Sequence, residues 1–368
     1  MHNTPADHAA GRSWAKQSTA STSWSAGRAA MTISRRWPRR FAVCISGNPG
    51  QMSQNMIKHV VSVSGGKDST ATLLIAMENC PRDSIVPIFC DTGNEHQAVY
   101  DYLGYLEQAL DIKIIRLKAD FSKQIAAKRM FIARDQRKGR KDGKRLRWSN
   151  KAKRRALAAL HPTGNPFLDL CMWKGRFPSR KAQFCTEELK RNMAVSFQLD
   201  LIDAGHRVLS WQGVRRDESL NRRNAKKIER IGGGIWTFRP IVEWTAMQVF
   251  DFCAKRGIQP NPLYKQGMSR VGCMPCINVN KSELAEIARR FPEAIEEKAE
   301  WERKVALCSK RMDATFIPAP GMSNHEAAKE TIWRVVDWAK TTRGGRQYDL
   351  LAALTEPTAC SSAYGLCE

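Results

Sequence analysis

No apolar run in the chain approaches the roughly 18–20 residues needed to cross a bilayer, so the sequence offers no membrane-spanning helix. Acidic residues are in short supply: 36 Asp and Glu stand against 60 Lys and Arg, a formal net charge of +24. A balance this basic attracts polyanions, whether nucleic acid, nucleotides or anionic surfaces, and the plainest reading is a basic enzyme whose substrates carry phosphate. No H-E-x-x-H pair is present; His59, His96, His161, His206 and His325 are scattered and read as structural, with only His96 close to a motif. No internal repeat is found. The cysteines number 11, an odd count with no clean secretion signal. That argues against a disulfide framework and brings metal or redox chemistry forward. A cytoplasmic setting with no membrane partner fits these absences.

What is present divides the chain into three. Residues 1–55 hold one acidic residue, Asp7, against seven basic ones, with many Ser, Ala and Gly. An acid-poor, Arg- and Ser-rich start is compatible with an organelle transit peptide. A start codon placed too far upstream (the true start being Met52 or Met56) or plain disorder accounts for it better. Residues 56–280 then alternate strand and helix patterns: a β-rich run from Ile57, a Gly turn, an apolar helix, a second strand over Ile85 to Gly93, a helix near Glu95 to Leu110, a third strand over Ile112 to Leu117, and a later one over Arg207 to Val214. This order implies βαβ units, an α/β fold built on a parallel sheet flanked by helices. Thr245-Ala-Met-Gln248 predicts a capping box. Residues 281–368 read as a mostly helical C-terminal region ending in a cysteine pair, with Met and Trp there more fitted to core than to a site.

A basic insert, residues 128–184, interrupts the second part. Extended to Arg191 it holds 20 Lys and Arg against 5 Asp and Glu, with Trp148, Phe167, Trp173 and Phe177 interleaved. Two readings stand: a single-stranded nucleic-acid surface with phosphates on cations and bases on rings, or a solvated excursion whose aromatics anchor it to the core.

The most specific motif is Ser64-Gly65-Gly66-Lys67-Asp68-Ser69, placed after a strand and opening a helix. Two glycines let the backbone turn tightly and aim N–H groups at an anion. The helix N-terminus adds positive potential for phosphate. Lys67 offers a cation, Ser64 and Ser69 hydroxyls, and Asp68 either steers Mg²⁺ or fixes the loop. The longer phosphate loop ending in GKS or GKT is absent, which weakens a kinase or GTPase reading.

With this turn go four further segments in order: Asp91-Thr92-Gly93, Cys185-Thr186-Glu-Glu-Leu189-Lys190, Gly213-Val-Arg215-Arg216-Asp-Glu218-Ser219 and Ser269-Arg-Val-Gly272-Cys273-Met-Pro-Cys276. Together they resemble the phosphoadenosine phosphosulfate (PAPS) reductase family, within the adenine nucleotide alpha-hydrolase-like, PP-loop ATPase superfamily. The resemblance runs in pieces from about Ile57 to Cys276. It implies a Rossmann-like sheet and an adenine nucleotide bound by residues 64–69, by Asp91, Thr92 and Gly93, and by Gly213, Arg215 and Arg216, one arginine facing phosphate or sulfate. Lys67, Asp68, Cys185 and Arg215 are the implied catalytic groups. The intact SGGKDS looks like members that cleave ATP between its α- and β-phosphates, whereas assimilatory reductases usually carry a degraded loop. The reductases' C-terminal ECGLH-type nucleophile is missing, with Cys367 a weak substitute.

Cys273-Met-Pro-Cys276 has the spacing at which two thiolates grip one metal centre. Cys185 lies in the segment resembling the paired cysteines of cluster-bearing adenylylsulfate (APS) reductases, with Phe184 in place of one of the pair. A fourth donor is then needed, from Cys360, Cys367 or Cys308, the C-terminal pair being preferred. A four-iron four-sulfur cluster, structural zinc and unliganded thiols all remain open. Cys44, Cys80, Cys90, Cys171 and Cys253 read as small hydrophobes or leader residues. Three functions follow: adenylation by ATP linked to sulfur transfer, onto DNA or tRNA through the insert and with a sulfur or electron donor protein; thiol-dependent reduction of PAPS or APS to sulfite; or non-catalytic nucleotide sensing.

Overall fold

A computed structural model describes residues 56–141, 143–321, 326 and 330–342. The expectations for residues 1–55, Cys44, His325, Cys360 and Cys367 lie outside the described residues. β-Branched and apolar residues form the first strand, β1 (Ile57–Ser62), and the glycine turn after it opens α1 (Lys67–Asn79). There follow β2 (Ile85–Asp91), α2 (Gln97–Leu110), β3 (Ile115–Lys118) and α3 (Ser122–Arg134). A short hairpin, β4 (Arg140–Lys141) and β5 (Lys144–Arg145), leads to α4 (Asn150–Ala159) and α5 (Pro166–Lys174). A π-turn at Thr186–Arg191 runs into α6 (Asn192–Asp203), then β6 (Arg207–Trp211), β7 (Ile228–Gly232), β8 (Ile235–Phe238) and α7 (Ala246–Ala254). The last described helices are α8 (Lys281–Arg290), α9 (Pro292–Cys308) and α10 (Ile332–Ala339).

The main sheet has the order β3-β2-β1-β6-β8-β7. Every neighbouring pair is parallel except β7 with β8, so the expected parallel sheet carries one antiparallel edge. The β7–β8 hairpin was not legible beforehand, because IERIGGGIWTF offers two short runs around three glycines with little alternation. Side chains of β1 alternate between the two faces with the strand's period of two. Val60 packs with Ile88 and Val208 beneath Phe197, Leu201 and Ile202 of α6, whereas Val61 joins Leu73, Leu103 and Val249 on the other side. From β1 the chain goes outward to β2 and β3, and later returns on β1's other flank at β6. Strand order therefore reverses at β1, and open α/β sheets bind ligands at the carboxyl ends of strands beside such a switch point.

Several element ends differ from the sequence reading: β2 stops at Asp91 rather than Gly93, and β6 at Trp211 rather than Val214. Helix α2 begins at Gln97 because the His96 ring nitrogen caps it, accepting from Ala98 N–H at 3.1 Å. Ile112–Ile114 stay out of β3, and the Ile114 N–H donates instead to Glu107 at 2.8 Å. The capping box of Thr245 and Gln248 is present as read.

The insert's aromatics settle between its two readings. Trp148, Phe167 and Phe177 are buried, and Trp173 stacks on Phe121 with centroids 5.7 Å apart. Phe167 also stacks on Trp301 of α9 at 5.6 Å. They are anchors to the core, not platforms for bases.

The C-terminal helices are tied down by a buried carboxylate. Glu302 is 3% exposed and accepts N–H groups from Phe316 (2.6 Å) and Ile332 (2.9 Å). Burial pushes its pKa up to about 7, against the two hydrogen bonds that favour the charged form. The folded state thus binds a proton more tightly than the unfolded state, so this group's stabilisation is complete at low pH and fades as pH rises through 7. Chemical denaturation of wild type and Glu302→Gln at pH 5 and pH 8 should show the balance moving in the variant's favour by roughly 2.5 kcal/mol across that window.

Candidate functional site

The turn between β1 and α1 lies at the switch point. Gly65 adopts φ +71°, and a Cβ there would meet Val99 Cγ1 at 3.0 Å. Gly66 is the N-cap of α1 and offers this helix start no capping side chain of its own. Its N-terminal potential is directed toward the space where a phosphate sits in such turns. The turn is closed by hydroxyls: Ser69 Oγ accepts from Ser64 N–H (3.0 Å), lies 3.2 Å from Ser64 Oγ, and donates to Gly66 O (2.9 Å).

Two segments distant in sequence hold that turn. Tyr264 Oη accepts from Lys67 N–H at 3.0 Å, and Asn261, 1% exposed, donates to Gly65 O and Ala98 O at 3.3 Å each. Gly213, just past β6, packs its backbone against the first turn of α1. A Cβ on it would lie 2.6 Å from Asp68 O and 2.9 Å from Ser69 N. Arg215, 3% exposed, donates through Nε to Asp68 at 2.5 Å and also pairs with Asp217. Lys67 is nearly buried, 3.7 Å from Asp68, with its ammonium over the rings of Tyr264 (5.1 Å) and Phe250 (5.8 Å). Asp68 is thus held by Lys67 and Arg215, which suits it to fixing the loop rather than to ligating Mg²⁺. Arg216 is not brought to the turn: it binds Ala225 O (3.0 Å) and Glu243 (3.3 Å).

The second motif forms a loop braced by its own side chains. Asp91 accepts from Gly93 N–H (3.0 Å) and Tyr100 Oη (2.8 Å), while the Thr92 hydroxyl donates to Glu95 at 2.7 Å. Gly93 has φ +71° and approaches Asn165 so closely that a Cβ would meet it at 2.9 Å. Onto this loop docks the C-x-x-C turn. Glu95 and Cys273 form a β-bridge, Met274 N–H donates to Asn94 O at 2.8 Å, and Asn94 donates to Pro275 O at 3.2 Å. The same segment reaches the phosphate turn, with Val271 O 3.6 Å from the Cβ position on Gly66.

The sulfur groups gather around Lys190, which the π-turn presents; π-turns concentrate at functional positions. The Cys273 thiol donates to Glu95 at 3.7 Å and lies 3.5 Å from Thr92 Oγ1. Burial, with Glu95 and Cys276 adding, pushes it up to about 12 in spite of Lys190. Lys190 is held charged chiefly by Cys273, then by Glu95 and Cys276. Burial raises Cys185, with Cys276 the next cause, and Cys185 in turn acts on the fully buried Cys171. Lys298, 1% exposed over the Trp301 ring, is depressed by burial and also feels Cys273 and Glu95. A cavity of about 90 Å³ adjoins this cluster, lined by Lys190, Arg270, Cys273, Cys276 and Glu283.

Among the described residues, no three His, Cys, Asp or Glu side chains are placed to ligate one ion. Cys185, Cys273 and Cys276 share a neighbourhood but do not by themselves complete a metal or cluster site. Cys308 is buried elsewhere, facing Lys128 and Arg155. Sequence reading missed Asn261 and Tyr264, whose N-P-L-Y stretch looks like an ordinary loop. It also missed Glu95, Lys298 and Tyr100, which carry no spacing signal.

Gly213→Ala should disturb the turn at its backbone, costing about 1–3 kcal/mol of stability and at least tenfold in ATP affinity by calorimetry. Gly104→Ala is the control, since nothing lies within 4 Å of its Cβ position; stability there should hold or rise.

The sequence profile of the phosphoadenosine phosphosulfate reductase domain matches residues 58–279. The chain is 47% identical over 326 residues to an "uncharacterized 37.8 kDa protein" of Escherichia phage 186, covering 84% of this chain and 96% of that one. It is 32% identical over 65 residues to an adenosine 5'-phosphosulfate reductase of Salinibacter ruber, 17% of this chain and 26% of that enzyme. Among solved structures, the phosphoadenylyl-sulfate reductase of Candida auris aligns over 60% of this chain and 82% of its own, at 16% identity and a TM-score of 0.35.

Proposed function

The chain belongs to the phosphoadenosine phosphosulfate reductase domain family, and on that premise we propose that it binds ATP in the Ser64–Ser69 turn and cleaves it between the α- and β-phosphates to adenylate an acceptor. The observation that carries the reading is the complete phosphate turn, with glycine at the N-cap of α1 and braced by Gly213, Asn261 and Tyr264. Such a turn supplies backbone donors and a helix end already oriented for charge on a phosphate, without reorganisation at the moment of reaction. Lys67 places a cation against the triphosphate. Arg215, locked by Asp68 and Asp217, fixes the geometry of the turn from below. An acceptor oxygen attacks the α-phosphorus, the bond to the bridging oxygen breaks, and pyrophosphate leaves with its electron pair; Mg²⁺ accompanies the triphosphate and offsets its charge. A sulfur nucleophile from a donor then displaces AMP from the adenylated acceptor.

Cys185, Cys273 and Cys276, with Cys360 or Cys367 as the remaining donor, are the proposed ligands of a four-iron four-sulfur cluster, zinc being the alternative. No step of the adenylation depends on it. Iron and zinc counts on anaerobically purified protein decide this part.

A second reading, reduction of a sulfonucleotide to sulfite, is favoured by the charged Lys190 beside Cys273 and the cavity they share. Against it, the intact SGGKDS turn resembles members that cleave ATP, whereas assimilatory reductases usually carry a degraded loop. ATP–pyrophosphate exchange separates the two. Wild type should catalyse exchange once an acceptor is supplied, and Lys67→Ala should lose it by about 10²–10³-fold while keeping its circular dichroism spectrum. Thioredoxin-dependent sulfite release in place of exchange would favour the second reading.

A further inference from the structure

The strongest concentration of charge on the molecule lies away from the nucleotide turn. From Arg134 to Arg155 the chain has twelve basic residues against two acidic ones, Asp135 and Asp142. Asp135 is already spent: it is buried, accepts Trp148 N–H at 2.8 Å and pairs with Arg137. Arg137 holds it well below the usual carboxylate range. Arg134, Lys138, Arg140, Lys141, Lys144, Arg145 and Arg147 are exposed.

The hairpin at the centre of this region opposes like charges. Arg140 faces Arg145 across the ladder, and Lys141 faces Lys144. Cations directly opposite on an antiparallel pair repel and destabilise it. The ribbon is instead held by its backbone. Leu146 N–H donates to Gly139 O (3.2 Å), Arg137 donates to Leu146 O (2.8 Å), and Lys310 donates to the carbonyls of Arg145 and Leu146. Lys153 caps Asp135 O at 2.9 Å. Backbone hydrogen bonds therefore hold out a row of exposed cations, and an anionic partner is the natural complement.

The form of the ribbon selects the partner. Single-stranded nucleic acid is held by stacking on open rings, but the aromatics of this region are buried, and the exposed Phe131 is covered by Arg137 at 4.8 Å. A two-stranded ribbon fits the major groove of B-form DNA, whereas the major groove of A-form RNA is too deep and narrow to admit it. We infer that the β4–β5 hairpin is a docking element for double-stranded DNA, with Arg140, Lys141, Lys144 and Arg145 set against its phosphates.

The test compares wild type with a variant carrying Arg140→Gln, Lys141→Gln, Lys144→Gln and Arg145→Gln. Binding of a labelled 30-base-pair DNA duplex is measured by fluorescence anisotropy from about 50 to 200 mM salt. Each lost phosphate contact lowers the slope of log affinity against log salt by about 0.9, so the variant's slope should be shallower by about 3 to 4. Its affinity at the middle of that salt range should fall at least tenfold. Melting temperature should hold or rise, because repulsion has been removed. An unchanged slope overturns the inference, as does tighter binding of wild type to duplex RNA, to the single strand or to phosphatidylserine vesicles. Calorimetry with ATP on both proteins keeps the outcomes apart. Equal ATP binding with DNA binding lost in the variant supports the hairpin, while failure of ATP to bind either protein counts against the adenylation reading alone.

Discussion

The close approach of the Gly213 backbone to the first turn of α1 is the constraint on which the site depends. With no side chain at that position, the end of β6 presses directly on Asp68 and Ser69. That contact brings Arg215 within 2.5 Å of Asp68, sets the entry angle of α1, and leaves the glycines at its start facing the sheet's open end. Tyr264 and Asn261 complete the clamp from the opposite side. A loop fixed this way has its donors arranged before ligand arrives, so little ordering entropy stands against binding.

A second assembly grows from the first. The Val271–Cys276 segment passes from Gly66 to the Thr92–Glu95 loop. The proposed phosphate turn and the cysteine cluster are thereby joined by one continuous stretch of chain. Lys190 and Lys298 supply positive charge around Cys273 and Glu95 in a poorly solvated region, where such interactions are stronger than in water. The arrangement suits a substrate whose anionic end extends beyond the phosphate turn.

Much of this was legible in the sequence, and for physical reasons. A strand, two glycines and a helix leave few alternatives for Ser64–Ser69, because glycine takes the φ of +71° at Gly65 without the strain of a Cβ. In the structure the segments at Asp91, Cys185, Gly213 and Cys273 are linked by successive contacts around the turn. What stayed hidden depends on tertiary contact. Tyr264 acts through a hydroxyl on a backbone N–H 197 residues away, which no local pattern encodes. Arg215 and Arg216 are equivalent in sequence, yet only the first turns inward, and the fold around Glu243 decides that. The aromatics of the basic insert were ambiguous because a buried anchor and an exposed stacking ring have the same composition.

The central claim is that the turn after β1 receives the phosphates of an adenine nucleotide. Competition calorimetry tests it most directly: ATP titrated into the full chain should give saturable heat at one site per chain, and excess inorganic pyrophosphate should abolish it. Saturable ATP binding indifferent to pyrophosphate, or no heat at all from well-folded protein, would contradict it.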